Sequence, residues 1–249
     1  MKNLIYQYWD GSIPVGSYAG QENMKAYAKS IGADYRFDDN QKYFGNRYGK
    51  ISFAFGCFRP IHDEEFHQYD NVLVLDTDIF AVDGLKENVF ETFAAQKTDQ
   101  GITPDIGACK EPFQPKNRII SKHAFNHNND EKWARCVKDK WGVDLPRNND
   151  DLLKVYNGGF MLFSNRGLRI AKTDFCPIGD YIQYIRECGL PVMYARDQNY
   201  FHAMIFACKM RFAEMDDGWD SAMHFVGTPD KNGERPVNAR VYPWQLLPR

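Results

Sequence analysis

The chain has 249 residues, of which 43% are hydrophobic and 26% charged, and its formal net charge is -2. A chain of that length and balance buries a sizeable core without staples, and the absence of any Lys/Arg run argues against a nucleic-acid partner. Six scattered cysteines with no Cys-x-x-Cys pair argue against zinc and thioredoxin-like chemistry and are expected as buried free thiols.

In chain order, Leu4–Trp9 reads as an apolar and aromatic strand closed by Asp10-Gly11. Residues 21–31 carry Met24, Tyr27, Ala28 and Ile31 at helical spacing, and Ala33–Phe37 reads as a second strand. Lys50–Arg59 reads as a helix stopped at Pro60. Asn71–Asp76 (NVLVLD) is the clearest strand, apolar on both faces as a covered central strand must be. The stretch 103–130 reads as loops, a lid among them, around one strand at Ile106–Lys110. Helices are expected at 131–141, 166–173, 178–188 and 197–207, and strands at Gly159–Ser164 and Arg211–Glu214. Strands alternating with helices in the first third give a mostly parallel nucleotide-binding α/β half. No repeat or linker interrupts the chain, so one α/β domain over residues 1–249 is expected. No apolar signal core opens the sequence, and no stretch of about 18 apolar residues occurs, so a cytoplasmic protein without a transmembrane segment is expected.

The central strand runs into Asp76-Thr77-Asp78. Ligands of open α/β sheets sit beyond the carboxyl ends of the strands, and side chains at i and i+2 face one side there. Two hard oxygen ligands converging on one point suit Mg2+ or Mn2+ bound to a diphosphate. Taken alone, the same three residues also read as a polar turn after a strand.

VLVLDTDIF resembles the metal-binding segment of the GT-A glycosyltransferases, in particular glycogenin and the bacterial retaining galactosyltransferases. Further landmarks follow that family's chain order. Lys50 in YGKISFAF stands where the family places a lysine on the donor diphosphate, although it reads equally as a solvated helix-end lysine. Asn157-Gly158-Gly159-Phe160 resembles the strand that lines the donor-sugar pocket, where glycines admit a ligand close to the backbone. Asp197-Gln198-Asn199 resembles the Asp-Gln-Asp segment beside the anomeric carbon, and Asp197 also suits a helix N-cap. His224-Phe225-Val226-Gly227 resembles the family's last metal ligand and the loop that folds over the diphosphate.

The resemblance covers about residues 3–85 and 155–232. It implies a GT-A fold with a mixed central sheet flanked by helices. It also implies a nucleotide-sugar donor (a UDP-sugar before others), a glycan or other hydroxyl acceptor, and retention of anomeric configuration. Asp76, Asp78 and His224 would hold Mn2+, or Mg2+ less readily because of the imidazole. The base would lie near Gln7, Tyr8 and Asp10, and Lys50 or Lys231 would add positive charge. The sugar would meet Asn157, Gly158, Gly159, Asp197 and Gln198, with Gly227 in the closing loop. Single-domain enzymes encoded by large algal viruses are a fainter likeness.

The chain departs from the pattern at Asp230, where the family has lysine, and at Asn199, where it has a carboxylate. Three alternatives stay open. A haloacid-dehalogenase-type phosphatase would use Asp76 as nucleophile, but Gly179-Asp180 is followed by Tyr184 where that family has its later aspartate. A nucleotidyltransferase would need a Gly-rich basic loop after the first strand. A non-catalytic nucleotide-sugar binder would differ only in lacking turnover.

Overall fold

The structure is a computed structural model, and it describes residues 1–10, 15–39, 42–77, 79–97, 101–110, 119, 124–219 and 241–243. The first strand, β1 (Asn3–Trp9), leads through α1 (Val15–Ser30) to β2 (Asp34–Asp39), which lies parallel beside it. The helix begins earlier than its apolar spacing suggested and buries Met24, Tyr27 and Ala28 against the sheet. Residues Gly49–Phe58, expected as an α-helix, form a run of 3-10 turns. Pro60 does not stop a helix there. It sits in the first turn of α2 (Arg59–His62), where a residue without an N–H loses no intrahelical bond.

Next comes β3 (Asn71–Leu75), with all five residues buried, because the sheet is covered on both faces. After it, β4 (Ile79–Ala81) and α3 (Val89–Ala95) were not anticipated; Asn88 starts the helix by accepting a hydrogen bond from the Phe90 N–H. β5 (Ile106–Lys110) falls where it was expected. α4 (His127–Trp141) starts before the expected position, because the Asn126 side chain caps it through the Asn129 N–H; Gly142 in the left-handed region, φ 68°, ends it. The lid assigned to this stretch falls largely outside the described residues.

The remaining elements are β6 (Tyr156–Ser164), α5 (Asn165–Asp174), α6 (Ile178–Glu187), α7 (Asp197–Ala207), β7 (Phe212–Met215) and β8 (Val241–Pro243). The main sheet has the order β2-β1-β3-β6-β5-β7. β6 runs antiparallel to both of its neighbours, whereas the other pairs are parallel, so the α/β class and the mixed sheet expected from the sequence are found. β4 and β8 form a separate antiparallel pair.

Apolar clusters fill both sides of the sheet. One joins Ile5, Leu73 and Leu75 to α1 and α3, and the other joins Tyr6, Val72 and Val74 to the 3-10 run and to α4, α6 and α7. Much of the aromatic content goes into this second cluster, including Phe55, Phe58, Trp133, Tyr181, Tyr194 and Tyr200. The six cysteines are free, as expected, but Cys176, Cys188 and Cys208 are only partly buried. No helix among the described residues is long and apolar enough to cross a membrane.

A polar latch fastens the far edge of the sheet. Asp105, 1% exposed, accepts hydrogen bonds from Arg166 Nη1 at 2.5 Å, Arg211 Nη2 at 2.7 Å and the Arg211 backbone N–H at 2.9 Å. Its carbonyl accepts from the Ser164 N–H. One buried carboxylate thus joins the ends of β5, β6 and β7. Burial acts to raise its pKa, but the Arg211 and Arg166 guanidiniums outweigh this and hold it below the ordinary carboxylate value.

Candidate active site

The chain changes direction at β1, placing β2 on one side of it and β3 on the other. At such a switch point the carboxyl ends of neighbouring parallel strands leave a crevice. A cleft of about 440 Å³ opens here. Its floor comes from Tyr8–Asp10 at the end of β1, Leu75–Thr77 at the end of β3, Gly158 and Gly159 near the start of antiparallel β6, and Asp197–Asn199 in the first turn of α7.

Strand register sets the position of Asp76. Leu75 pairs with Gln7 on one side and Phe160 on the other, so the next residue falls between Tyr8 and Gly159. The Asp76 N–H donates to the Gly159 carbonyl at 3.0 Å, and Gln7 Nε2 donates to the Asp76 carbonyl at 2.8 Å. The backbone is therefore fixed on both sides while the carboxylate stays exposed in the cleft. A Cβ on Gly159 would lie 2.6 Å from Asp76 Oδ2, so only glycine leaves that carboxylate its present place. On the other wall, a Cβ on Gly56 would meet the Tyr8 ring at 2.2 Å, and the ring packs directly on that backbone.

The 157–159 turn is held from two directions. The Gly159 N–H donates to Asn157 Oδ1 at 2.6 Å, and the Gly158 N–H donates to Gln198 Oε1 at 3.3 Å. Gly158 also approaches the next carboxylate, since a Cβ there would stand 3.6 Å from Asp197 Oδ2. The Asp197 pKa is pushed up to about 6: desolvation dominates, Arg196 opposes it, and Asp76 adds to the rise. The sign for stability follows from linkage. A carboxylate raised above its unfolded value of about 3.9 binds more protons in the fold, so its contribution declines as pH rises from 4 to 6 and stays lost above. In EDTA, Asp197→Asn is expected to be more stable than wild type at pH 7.5 by about 1–2 kcal/mol, and no more stable at pH 4. Thermal melts at the two pH values check this; equal Tm at pH 7.5 would show that the carboxylate is not strained.

α4 does not reach the cleft itself but braces the segment that carries Met193 and Arg196. Trp133 Nε1 donates to the Tyr181 hydroxyl at 3.0 Å, which donates to the Tyr194 carbonyl at 2.9 Å, while the Tyr194 hydroxyl donates to Asp130 Oδ1 at 2.6 Å. These bonds fix the 3-10 turn Val192–Ala195, which brings Met193 and Arg196 to the cleft opposite Phe53.

Of the residues singled out from the sequence, Tyr8, Asp10, Asp76, Gly158, Gly159, Asp197 and Gln198 line this one cleft. Asp10 also accepts the Lys42 N–H at 2.6 Å. Three others do not line it. Gln7 is fully buried, its amide oxygen taking the Tyr35 hydroxyl at 2.9 Å and its nitrogen the Asp76 carbonyl, so it positions the floor instead of facing a base. Asn157 is buried behind the turn it pins, with Nδ2 unpartnered. Lys50 stands at the exposed start of the 3-10 run, one turn before Phe53, which does reach the cleft. Asp78, His224, Gly227 and Lys231 lie outside the described residues. The sequence reading missed Phe53, Cys57, Phe125, Met193 and Arg196. The only local signal was that Arg196 adjoins Asp197.

Among the described residues, no group of three or more His, Cys, Asp and Glu side chains could hold a metal ion. Asp76 supplies one hard oxygen donor facing the cleft, the kind of group that Mn2+ or Mg2+ takes.

The floor and walls define an α/β protein with a ligand cleft at the strand ends. No protein-family model matches the chain, and no curated protein sequence matches it. Among solved structures it is similar to a glycosyltransferase involved in glycosylation of the major capsid of PBCV-1, at 11% identity and TM-score 0.41, over 69% of this chain and 64% of that one. It is also similar to the galactosyltransferase LgtC, at 13% identity and TM-score 0.47, over 96% of this chain and 85% of that one. A third is mouse xyloside xylosyltransferase 1, at 11% identity and TM-score 0.48, over 98% and 97% of the two chains. The chain thus spans less than two thirds of the first of these proteins.

Proposed function

We propose that this protein is a GT-A-type glycosyltransferase that moves a sugar from a nucleoside-diphosphate donor, a UDP-sugar before others, to a hydroxyl acceptor with retention. The observation that carries the reading is the convergence of Asp76, Gly158-Gly159 and Asp197-Gln198 on one cleft, from three segments far apart in the chain.

In this reading the nucleotide lies against Tyr8 and Asp10 and the sugar folds toward Gly158 and Asp197. Asp76, with Asp78 and His224, would hold the divalent cation, which neutralises charge on the diphosphate as it leaves. Gln198 keeps the 157–159 turn at contact distance from the sugar side. Burial at the foot of α7 raises the Asp197 pKa to about 6, so at neutral pH it is mainly a carboxylate that can accept a hydrogen bond from a sugar hydroxyl.

The test is hydrolysis of a panel of UDP- and GDP-sugars with Mn2+ or with EDTA. Release of nucleoside diphosphate from one donor, abolished by chelator, supports the transferase and names its donor. Cleavage of a generic phosphate ester without donor turnover would replace it with the phosphatase that uses Asp76 as nucleophile; donor binding without turnover would leave a binding protein. Product anomeric configuration by NMR decides retention.

Gly159→Ala separates position from stability. The added methyl meets the far end of the Asp76 side chain, which can swing aside. It also stands 3.1 Å from Oδ1 of buried Asn157, which must give by a few tenths of an ångström, so Tm should fall modestly. Turnover should fall about 10–100-fold, because a displacement of about 1 Å at a reacting centre costs that much. Unchanged turnover would mean that the present place of the Asp76 carboxylate is unimportant.

A further inference from the structure

Arg196 is the only basic side chain among the described residues that line the cleft, and the reading above gives it no task. Its guanidinium lies over the Phe53 ring, 5.3 Å from the centroid. Nη1 stands 3.7 Å from Met193 Sδ, a weak acceptor, and Nε is buried without a hydrogen-bond partner. No carboxylate among the described residues forms an ion pair with it, although Asp197 is its neighbour in the chain. A guanidinium braced on an aromatic face with donors unspent is arranged for a planar oxyanion, which it grips by two parallel bonds.

Its place in the cleft indicates which part of a substrate it would meet. Gly159 abuts Asp76 and Gly158 abuts Asp197, and Arg196 adjoins Asp197 in the chain and lines the same cleft beside Phe53 and Met193. The surface around it is apolar, with Phe53 48% exposed and Phe125 and Met193 on the same cleft, as suits a pyranose ring. The described lining carries the carboxylates Asp10, Asp76 and Asp197, which would repel an acidic sugar unless a cation faced it.

We propose that Arg196, braced on Phe53, is a subsite for the carboxylate of a uronic acid, carried either by the donor sugar or by the acceptor. The saccharide assignment rests on the transferase reading, but the carboxylate contact can be measured without turnover.

Binding of methyl glucuronosides and galacturonosides is compared with that of the neutral glucosides and galactosides by protein-observed NMR, with and without saturating UDP. UDP, UDP-glucose and UDP-glucuronate are titrated by calorimetry. Wild type, Arg196→Gln and Arg196→Lys are used, the last because it keeps the stem and charge and so guards against a folding defect. The expected result is a preference of about tenfold or more for an acidic over a neutral ligand, lost in Arg196→Gln, partly kept in Arg196→Lys, with UDP affinity unchanged. Preference expressed on UDP-glucuronate assigns the carboxylate to the donor; preference on the uronosides in UDP-saturated protein assigns it to the acceptor. Equal binding of acidic and neutral forms by wild type overturns the proposal. So does loss of UDP affinity in Arg196→Gln, which would make the guanidinium a phosphate contact. If no nucleotide binds but an Arg196-dependent uronoside preference persists, the transferase reading falls and the carboxylate subsite stands.

Discussion

Asp76→Asn is expected to lower kcat for donor turnover by about 10²–10³-fold, the scale of losing one preorganised electrostatic contact in an active site. The substitution keeps the size of the side chain and leaves both backbone bonds of the residue, to Gly159 and to Gln7, in place. The carboxylate is exposed, so stability should stay within about 0.5 kcal/mol of wild type. Kinetics on the donor identified by the panel, with a thermal melt alongside, checks both halves. Activity that survives in Asp76→Asn and is still chelator-sensitive would move the cation to other residues. A large fall in Tm would mean that the loss of activity reports unfolding.

Asp105→Ala is expected to produce the opposite profile. It strips the acceptor from two guanidiniums and from the Arg211 N–H at the junction of β5, β6 and β7. Arg166 and Arg211 are 59% and 27% exposed, so both can find water. The cost is therefore below that of a fully buried pair, about 2–3 kcal/mol, or a Tm lower by roughly 5–10 °C. The pH dependence also has a definite sign. The pKa of Asp105 is depressed in the fold, so its contribution is present above the ordinary carboxylate value and is lost as pH falls through the lowered one. Wild type and Asp105→Ala should thus converge in stability toward pH 2–3 and differ most near neutrality. A difference that persists unchanged into acid would show that packing, not the carboxylate, holds the junction.

The parts of this protein legible in its sequence are those where one strong local pattern decides the structure. β3 is apolar on both faces and runs into a carboxylate, so both its central place and the position of Asp76 at its end could be read off directly. Asp197 marked the start of α7, although it is the first helical residue and not the cap, which is Arg196 without a side-chain bond. The glycine pair marked a close approach that the structure shows against Asp76 and Asp197. Other features leave no such mark. Nothing in Tyr156–Ser164 says that it runs antiparallel between two strands, because a buried run reads the same in either direction. The 3-10 run kept its apolar residues but not the α period, so Lys50 stands exposed off the cleft while Phe53, which went unnoticed, lines it. Gln7 looked exposed to ligand because it is polar at a strand end. Its amide is instead consumed in bridging Tyr35 and the Asp76 carbonyl, a pairing that depends on strand order.

The pairing of β4 with β8 bears on how the site is completed during synthesis. β4 begins three residues after Asp76, and its partner is the stretch Val241–Pro243. Chains emerge from the ribosome N-terminus first, at about 5–20 residues per second, so β4 must wait for nearly the whole described chain before its edge is covered. Until then an apolar strand edge stands open, a place where nascent chains can pair with one another. A protein shortened before residue 241 should therefore keep the six-stranded sheet, yet be prone to self-association at the end of the molecule that carries Asp76.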